Sequence, residues 1–273
     1  MKSVLILGGA RGIGKAVVDA FFSDGFGVTV VARTQNDIDA TVEEFSDRGE
    51  MLGFHADISL PDEVQRAVHA HLSRFECIDV VVNTAGIQGP IGLLWENDPV
   101  QWARNISINL VGSFNVAKSV VPEMIRAGNG VVVLFSGGGA AYARPRFSAY
   151  GVGKTGVLRL VETVHEELME CEARGVRIYA VAPGAVRTRM TEEVLSDMDS
   201  AGEKAFTEAL TTSEKGGTPP ERASELCLFL AKERPVCLSG RLIHVNEPYR
   251  EYVASFEGKG MGDRGMLRRV GYE

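Results

Sequence analysis

A tyrosine and a lysine four positions apart, Tyr150 and Lys154, are the residues of this sequence whose types and spacing best suit chemistry. On a helix, that spacing places both side chains on one face, one turn apart. An ammonium beside a phenol favours the ionised phenol, so the pair can donate and accept a proton near neutral pH. The spacing therefore predicts an acid–base pair.

A glycine-rich turn near the start of the chain indicates where a dinucleotide would bind. Gly8, Gly12 and Gly14 lie between a short apolar run, residues 4–7, and a segment that predicts a helix. Glycine lets the backbone approach a pyrophosphate, which the N-terminus of the following helix attracts. The spacing differs from the G-x-G-x-x-G fingerprint, but its place between strand and helix favours a cofactor site over a plain turn. Together with the acid–base pair, this turn predicts a redox enzyme.

The end of the second predicted strand indicates which dinucleotide is preferred. A site for an unphosphorylated ribose usually has Asp or Glu there, whereas this chain has Ala32 followed by Arg33. The guanidinium of Arg33 can bind a 2′-phosphate bidentately, and Arg11 in the glycine turn adds a second positive charge. We therefore predict NADP(H) over NAD(H); the alternative is that both arginines are solvated surface residues.

Composition limits the other classes of partner. The chain has 273 residues, 45% of them apolar, a net charge of −7 and a pI near 5.4. That acidic balance argues against nucleic acid or an anionic membrane as the main partner. The four cysteines show no C-x-x-C spacing and the five histidines no H-E-x-x-H pattern, so we expect neither disulfides nor a metal. No signal peptide and no bilayer-spanning run is present, and we expect a cytoplasmic protein.

Strand-like and helix-like segments alternate along the chain, which predicts an α/β fold: a doubly wound parallel sheet (Rossmann fold) in a single domain. The predicted strands are residues 4–7, 27–32, 51–56, 78–83, 131–135, 176–182 and 241–245. The predicted helices are residues 14–23, 37–48, 61–75, 99–126, 149–173 and 220–231. We assign residues 1–246 to this domain, with an irregular, polar lid over the site at about residues 186–218. The glycine-rich tail, residues 247–273, is either a mobile end or an arm that packs on another subunit.

Over residues 1–246 the chain resembles the short-chain dehydrogenase/reductase family. The motifs that carry the resemblance are Gly8-x-x-x-Gly12-Ile13-Gly14, Asp57-Ile58, Asn83-Thr84-Ala85-Gly86, Asn109, Ser136, Tyr150-x-x-x-Lys154, and Pro183-Gly184 with Thr188. In this combination and order they are highly specific. The resemblance implies the parallel sheet, a nicotinamide cofactor, and a small alcohol or ketone as substrate.

The resemblance also implies a role for each catalytic residue. Tyr150 would be the general acid in reduction and the general base in oxidation. Lys154 would hold the hydroxyls of the nicotinamide ribose and lower the pKa of Tyr150. Ser136 would donate a hydrogen bond to the substrate carbonyl. Asn109 would interrupt its helix and hold a water that joins Lys154 to solvent.

The remaining motifs are implied to contact the cofactor. Asp57 and Ile58 would contact the adenine. A second group would stabilise the sheet and line the adenosine side: Asn83, Ala85 and Gly86. A third group would bracket the nicotinamide: Pro183, Gly184, Val186 and Thr188.

The sequence departs from the family pattern at three places. Leu7 stands where the family usually has Thr to brace the glycine turn, and Thr84 replaces an Asn. The family often has two serines after its fifth strand and commonly uses the second, but only Ser136 is present here, and Gly137 lies nearer the usual position. Ser148 is an alternative donor, although its place before the helix of Tyr150 favours an N-cap.

Substrate and assembly are only broadly constrained by the sequence. The glycines after Ser136 leave room for a bulky or ring-shaped ketone. The candidate wall residues are Gln88, Trp95, Tyr142, Arg144, Arg146 and the segment 186–218, and an arginine there would suit an anionic substrate group. Besides an NADP(H)-dependent alcohol/ketone oxidoreductase, we consider a 3-oxoacyl-thioester reductase and a non-catalytic dinucleotide-binding regulatory protein.

The family usually pairs two long helices between subunits, so we expect a homo-oligomer, either a tetramer or a dimer. The apolar residues that suggest such pairing are Val116, Val120, Val157, Leu160 and Val164. The alternative is that all five face the chain's own sheet.

Overall fold

The computed structural model of the chain describes residues 1–45, 49–256 and 258–267, and is built on one parallel sheet. The seven strands lie in the order β3-β2-β1-β4-β5-β6-β7. Their bounds are β1 Ser3–Leu7, β2 Gly27–Ala32, β3 Met51–His55, β4 Val80–Asn83, β5 Gly130–Phe135, β6 Val176–Ala182 and β7 Leu242–His244. Runs of valine, isoleucine and leucine suit strands that are buried on both faces. The predicted doubly wound α/β fold is confirmed.

Helices cover both faces of the sheet. Their bounds are α1 Gly12–Ser23, α2 Gln35–Phe45, α3 Pro61–Phe75, α4 Pro99–Ile106, α5 Gly112–Ala127, α6 Ser148–Glu170, α7 Arg189–Leu195, α8 Met198–Ala201, α9 Glu203–Lys215, α10 Pro220–Glu233 and α11 Tyr249–Phe256. Helices α1 and α10 bury apolar side chains against one face, and α3, α5 and α6 against the other. The strand order reverses between β1 and β4, which opens a crevice at the carboxyl ends of these strands.

Two predicted segments differ in the structure. The helix expected at residues 99–126 is broken by a π-helical turn, Ser107–Val111, between α4 and α5. The lid expected to be irregular is mostly helical, as α7, α8 and α9. Its helices form because Thr188 and Thr191 make a capping box at the start of α7, and Asp197 caps α8 by accepting from the Ser200 N–H.

The tail packs on its own chain as far as it is described, and contact of the tail with another subunit stays a prediction. Met261 is buried against the α1/α10 layer, and the Leu242 N–H donates to the Gly265 carbonyl at 2.8 Å. The Arg241 guanidinium donates to the carbonyls of Gly262 and Arg264, at 2.7 and 2.6 Å. Residues 46–48 of the second predicted helix, and residues 257 and 268–273 of the tail, lie outside the described part of the chain.

Neither a membrane-spanning helix nor a metal-binding cluster occurs within the described ranges. None of the helices there is both long and apolar enough to cross a bilayer. In the same ranges, His, Cys, Asp and Glu side chains do not gather into a group that could hold a metal ion.

A buried histidine joins α3 to the strands beneath it. Nδ1 of His71 lies 2.8 Å from the Thr29 hydroxyl, and Nε2 lies 3.1 Å from both the Ser3 hydroxyl and the Cys77 carbonyl. A neutral ring satisfies these partners by accepting at Nδ1 and donating from Nε2. Burial lowers the pKa of His71 to about 4, and the Cys77 carbonyl and the Asp79 carboxylate only partly oppose this shift. The fold therefore requires this imidazole to be neutral.

We predict that the chain loses stability in mild acid through His71. The folded pKa of His71 lies below the unfolded value of 6.5, so between those values the unfolded chain binds more protons and stability rises with pH. The free energy of unfolding should fall by about 2 kcal/mol from pH 7 to pH 5. Urea titrations at the two pH values measure the change. His71→Gln should remove most of this change in the free energy of unfolding. His69→Gln, at an exposed position on the same helix, should show the same change as the wild type. An unchanged pH dependence in His71→Gln would contradict the assignment.

Candidate active site

The glycine turn after β1 is shaped by close backbone contacts. Gly8 has a φ of +80°, and a Cβ there would lie 2.6 Å from the Ala85 nitrogen, so only glycine fits between β1 and β4. Gly12 has a φ of +51° and faces Thr188, whose Cγ2 would lie 3.6 Å from a Cβ at position 12. The turn and the segment after β6 therefore meet across the crevice, with Gly12, Ile13 and Gly14 at the start of α1.

Thr84 braces this turn. Its hydroxyl donates to the Leu7 carbonyl at 3.0 Å. The two departures from the family pattern thus compensate each other: the hydroxyl missing at Leu7 is supplied from the end of β4, where the family usually has an asparagine. Sequence reasoning identified both departures but not their connection, because that connection depends on the pairing of β1 with β4.

The two arginines proposed for the 2′-phosphate follow neighbouring strands, Arg11 in the turn after β1 and Arg33 directly after β2, and each lies beside a carboxylate. Arg11 forms an ion pair with Asp37 at 2.5 Å, and Arg33 approaches Asp57 at 3.7 Å. Burial acts to raise the pKa of Asp57, but hydrogen bonds from Ser59 and the charge of Arg33 outweigh it, and the pKa lies below its ordinary value. Both guanidinium groups are about half exposed and accessible to an anion.

The residues expected on the adenosine side are mostly fixed by packing and hydrogen bonds. The side chain of Ile58 is buried against Gly112, where a Cβ would lie only 2.6 Å from it. The Ile58 carbonyl accepts a hydrogen bond from the Asn115 amide at 2.9 Å. Asn83 is buried at the end of β4, where its amide donates to the Ser113 hydroxyl and accepts from the Ala85 N–H, both at 3.2 Å. These contacts anchor the crevice wall to α5.

Tyr150 and Lys154 lie on one face of α6, as the spacing predicts. The Lys154 ammonium lies 5.7 Å from the centroid of the Tyr150 ring and donates to the Phe135 carbonyl at 2.9 Å. Lys154 is only 4% exposed, and burial lowers its pKa to about 8. Burial also raises the pKa of Tyr150, and the positive charge that opposes this rise is that of Arg144. In the chain alone, the expected lowering of the Tyr150 pKa by Lys154 is therefore not observed, and the phenol holds its proton.

A pair of asparagines fixes the segment opposite Lys154. The Asn109 amide donates to the Ile87 carbonyl at 2.8 Å and accepts from the Ile87 N–H at 3.2 Å. It also donates at 2.7 Å to Asn105, whose own amide donates to the Gly89 carbonyl at 2.6 Å. A Cβ at Gly86 would lie 2.6 Å from Asn109 Oδ1 and 3.3 Å from Lys154 Nζ, so both groups face Gly86. The sequence analysis missed Asn105, for which the signal is its spacing of four residues from Asn109.

The Ser136 hydroxyl bonds to the chain's own backbone. Ser136 is buried, and its hydroxyl donates to the Lys154 backbone carbonyl at 2.9 Å. Gly137 faces Tyr150 instead: a Cβ there would lie 2.5 Å from the phenol oxygen. Ser148 is not the N-cap of α6, because it lies inside the first turn and accepts from the Trp102 indole at 3.1 Å.

The segment after β6 is held to the end of the lid. Gly184 has a φ of +75°, and a Cβ there would lie 2.6 Å from the Thr218 hydroxyl. Val186 bridges Gly217, and the Thr218 N–H donates to the Ala185 carbonyl at 2.7 Å. Both ends of the lid are therefore fixed beside Pro183 and Thr188, and α7 to α9 lie between them.

A cleft of about 850 Å³ joins these elements. Tyr150 and Gly137 lie in its wall, together with Gln88, Tyr142 and Arg144 from the candidate wall residues. Arg146 holds the lid, since its guanidinium donates to the Asp199 and Ser200 carbonyls at 2.8 and 3.2 Å.

The cleft wall differs from the expected one at two places. Trp95, a candidate wall residue, is 79% exposed and is not part of it. The tail contributes Gly265, Met266 and Leu267 to the wall, which the sequence analysis missed because no local pattern shows that the chain returns to the sheet.

A family model and individual proteins match this chain. The sequence model described as short chain dehydrogenase matches residues 2–199. The 3-oxoacyl-[acyl-carrier-protein] reductase FabG of Thermotoga maritima is 32% identical over 247 residues, which cover 90% of this chain and 96% of the reductase.

Solved structures show the same architecture. A short chain dehydrogenase/reductase from Saccharomyces cerevisiae has a TM-score of 0.84 at 25% identity, and covers 94% of this chain and 100% of its own. A single-substitution variant of actinorhodin polyketide ketoreductase, crystallised with NADPH, has a TM-score of 0.80 at 25% identity, and covers 89% of this chain and 95% of its own.

Proposed function

The chain belongs to the short-chain dehydrogenase family and is an oxidoreductase of alcohol or keto groups, and from this premise we propose that it interconverts a secondary alcohol and a ketone with NADP(H). The observation that carries the proposal is the position of Tyr150. Its phenol lies in the wall of a cleft, on the same helix face as a buried ammonium, and the glycine turn lies in the same crevice.

The chain offers a cradle that fits a dinucleotide. At Gly8 and Gly12 the glycine turn has no side chains. A side chain at either position would fill the space between the turn and the residues opposite, Ala85 and Thr188. The N-terminus of α1 points its free N–H groups at this space, which suits a pyrophosphate. Arg11 and Arg33 would bind the 2′-phosphate, each exchanging its present carboxylate for a dianionic group. When bound, the nicotinamide supplies the hydride chemistry.

The remaining cofactor positions follow the same cradle. Asp57 and Ile58 lie after β3, and Asn83, Ala85 and Gly86 after β4, where they would flank the adenosine. Pro183, Gly184, Val186 and Thr188 would bracket the nicotinamide.

We propose that Tyr150 exchanges the proton with the substrate oxygen. Because burial keeps the phenol protonated, the side chain is ready to act as the general acid in reduction. Lys154 would hold the ribose hydroxyls with the donor hydrogens that Phe135 does not use. Asn109 Oδ1 and the ammonium both face Gly86, and a water held there would join Lys154 to solvent.

Ser136 would act on Lys154 and not on the substrate. Its hydrogen bond to the Lys154 carbonyl ties the end of β5 to the helix that carries the acid–base pair. Position 137 adds no side chain next to the phenol, where a Cβ would lie 2.5 Å from the phenol oxygen, and this glycine would leave space for a bulky ketone.

A 3-oxoacyl-thioester reductase is the second candidate, and the name of the Thermotoga maritima relative favours it. The charge of −7 speaks against it, because an acidic carrier protein docks best on a basic surface. A non-catalytic regulatory protein is the third candidate, and the acid–base pair speaks against it. Single-turnover oxidation of NADPH with a panel of ketones and 3-oxoacyl thioesters separates the three. A cytoplasmic location remains a prediction.

We also propose a homo-oligomer, a dimer or a tetramer, through a surface that differs from the one expected. Val116, Val120 and Val157 are fully buried against the chain's own sheet, and Leu160 and Val164 pack on the same core. The exposed apolar residues near the junction of the π-turn, α5 and α6 are Val111, Phe114 and Val152. A two-fold interface would use these residues from both partners.

Tyr150→Phe should abolish turnover and leave the NADPH dissociation constant within a few-fold of wild type. The variant keeps the ring in its packing and removes only the hydroxyl that transfers the proton. General acid–base groups contribute about 10²–10⁴-fold. Steady-state kinetics and NADPH fluorescence titrations measure the two quantities. A variant that retains more than about a tenth of the wild-type kcat would show that another group is the main acid.

Arg33→Asp should weaken NADPH binding by about ten- to a hundredfold and improve NADH binding. The new carboxylate repels the 2′-phosphate and accepts from a free 2′-hydroxyl. Arg33→Gln is the matched variant: it should weaken NADPH binding without improving NADH binding. An unchanged preference in both variants, in titrations with the two cofactors, would refute the role of Arg33.

Light scattering after size-exclusion chromatography should give an even multiple of the 29.5 kDa chain mass at micromolar concentration. Phe114→Asp should shift the mass towards the monomer, because it places a charge in the proposed apolar contact. Leu60→Asp, at another exposed apolar position, should leave the mass unchanged. A monomeric wild-type protein would exclude the proposed assembly.

A further inference from the structure

We propose that Arg144 binds a carboxylate of the substrate, so that the ketone or alcohol that this chain converts is itself an acid. The inference rests on the proposed alcohol/ketone function and names the substrate class for that site. It is carried by the place of Arg144 in the cleft, by the contacts that hold its guanidinium, and by the absence of an acidic partner among the described residues.

Arg144 lies in the wall of the same cleft as the proposed general acid. It stands on the segment between β5 and α6, and both Arg144 and Tyr150 line the 850 Å³ cleft. Gly137 and Gly138 of the same segment also line the cleft and add no side chains to it, and the Tyr142 hydroxyl lies beside Gly138. A substrate whose carbonyl oxygen lies at Tyr150 therefore has room to extend towards Arg144.

Two neutral contacts hold the guanidinium. Its Cζ lies 3.9 Å from the centroid of the Phe147 ring, and Phe147 is fully buried. With the Gln88 amide oriented to satisfy both of its ends, Gln88 accepts from Arg144 Nη1 at 2.9 Å and donates to the Met190 carbonyl at 2.9 Å. Gln88 is itself buried and ties the guanidinium to helix α7 of the lid. These contacts fix the direction of the cation, and they do not neutralise it.

Arg144 lacks the carboxylate partner that many arginines of this chain have. An ion pair requires a carboxylate oxygen within 4.0 Å of a guanidinium nitrogen, and among the described residues Arg144 has none. By contrast, Arg11, Arg33 and Arg159 are each paired with an acid. A half-buried cation with only neutral contacts leaves donor hydrogens for a ligand, and a planar carboxylate matches the two-pronged geometry of a guanidinium.

The charge of Arg144 already acts on the catalytic phenol. It opposes the rise that burial imposes on the pKa of Tyr150. A substrate carboxylate paired with Arg144 would reduce this effect, so the phenol would hold its proton more firmly when an acid is bound.

A matched pair of ring ketones tests the proposal: 4-oxocyclohexanecarboxylate and its methyl ester, with NADPH. Wild-type enzyme should reduce the acid with a kcat/KM at least about tenfold higher than the ester, the usual contribution of a charge-assisted hydrogen bond. Arg144→Met keeps an unbranched side chain against Phe147 and removes the charge, and should erase this ratio. The ratio is the readout because loss of the charge also raises the pKa of Tyr150 and so affects both ketones. Arg222→Met, at an exposed arginine outside the cleft, should keep the wild-type ratio.

Binding of unreactive analogues separates this inference from the proposed function. Cyclohexanecarboxylate should bind the enzyme–NADPH complex at least about tenfold more tightly than cyclohexanecarboxamide in calorimetric titrations, and Arg144→Met should bind the two alike. Equal binding by the wild type would overturn the Arg144 site even if both ketones are reduced. A preference for the carboxylate without reduction of either ketone would support the Arg144 site and count against the proposed function.

Discussion

The desolvation of the Lys154 ammonium is the constraint on which the rest of the site depends. A cation that is only 4% exposed is costly unless its hydrogen bonds are supplied, and in the chain alone the Phe135 carbonyl supplies one at 2.9 Å. An ammonium has three donor hydrogens, so others remain for an acceptor on the side of Gly86, which Nζ also faces. Burial also lowers the pKa of Lys154 to about 8, so an acceptor brought to this amine would stabilise its charged form. The surrounding structure is arranged to place this amine, with Ser136 on its backbone carbonyl and Asn109 opposite Gly86.

The polar side chains around this amine are joined in one continuous arrangement that reaches the lid. Asn105 and Asn109 fix residues 87–89 by their backbone, and Gln88 in the same stretch contacts both Arg144 and the carbonyl of Met190 on the lid. A displacement of the lid would therefore act on Gln88 and on the guanidinium that Gln88 orients. The lid and the cleft wall at Arg144 are thus joined through the buried Gln88 amide.

Much of the fold followed from the sequence because buried parallel strands have a strong local signal. The apolar runs located all seven strands to within a few residues, and the i, i+4 spacing placed Tyr150 and Lys154 on one helix face. The lid was mistaken for irregular chain because its buried residues are mostly small alanines in a polar sequence, and they become apolar contacts only when packed on Phe147. The hydroxyl direction of Ser136, the brace from Thr84, and the return of the tail depend on contacts between distant segments, which no local pattern reports. The positions of Tyr150 and Lys154 and the glycine turn were thus predictable, whereas the contacts that support them were not.

The return of the tail to the cleft has a consequence for substitutions in the cleft wall. The glycine turn and the acid–base pair are encoded in the strands and helices of the sheet, where a change disturbs the core. Met266 and Leu267, by contrast, are among the last described residues of the chain and line the same cleft, where Leu267 also packs on the core. A substitution at Met266 would therefore alter the shape of the cleft while every residue of the strands and of the glycine turn stays as it is.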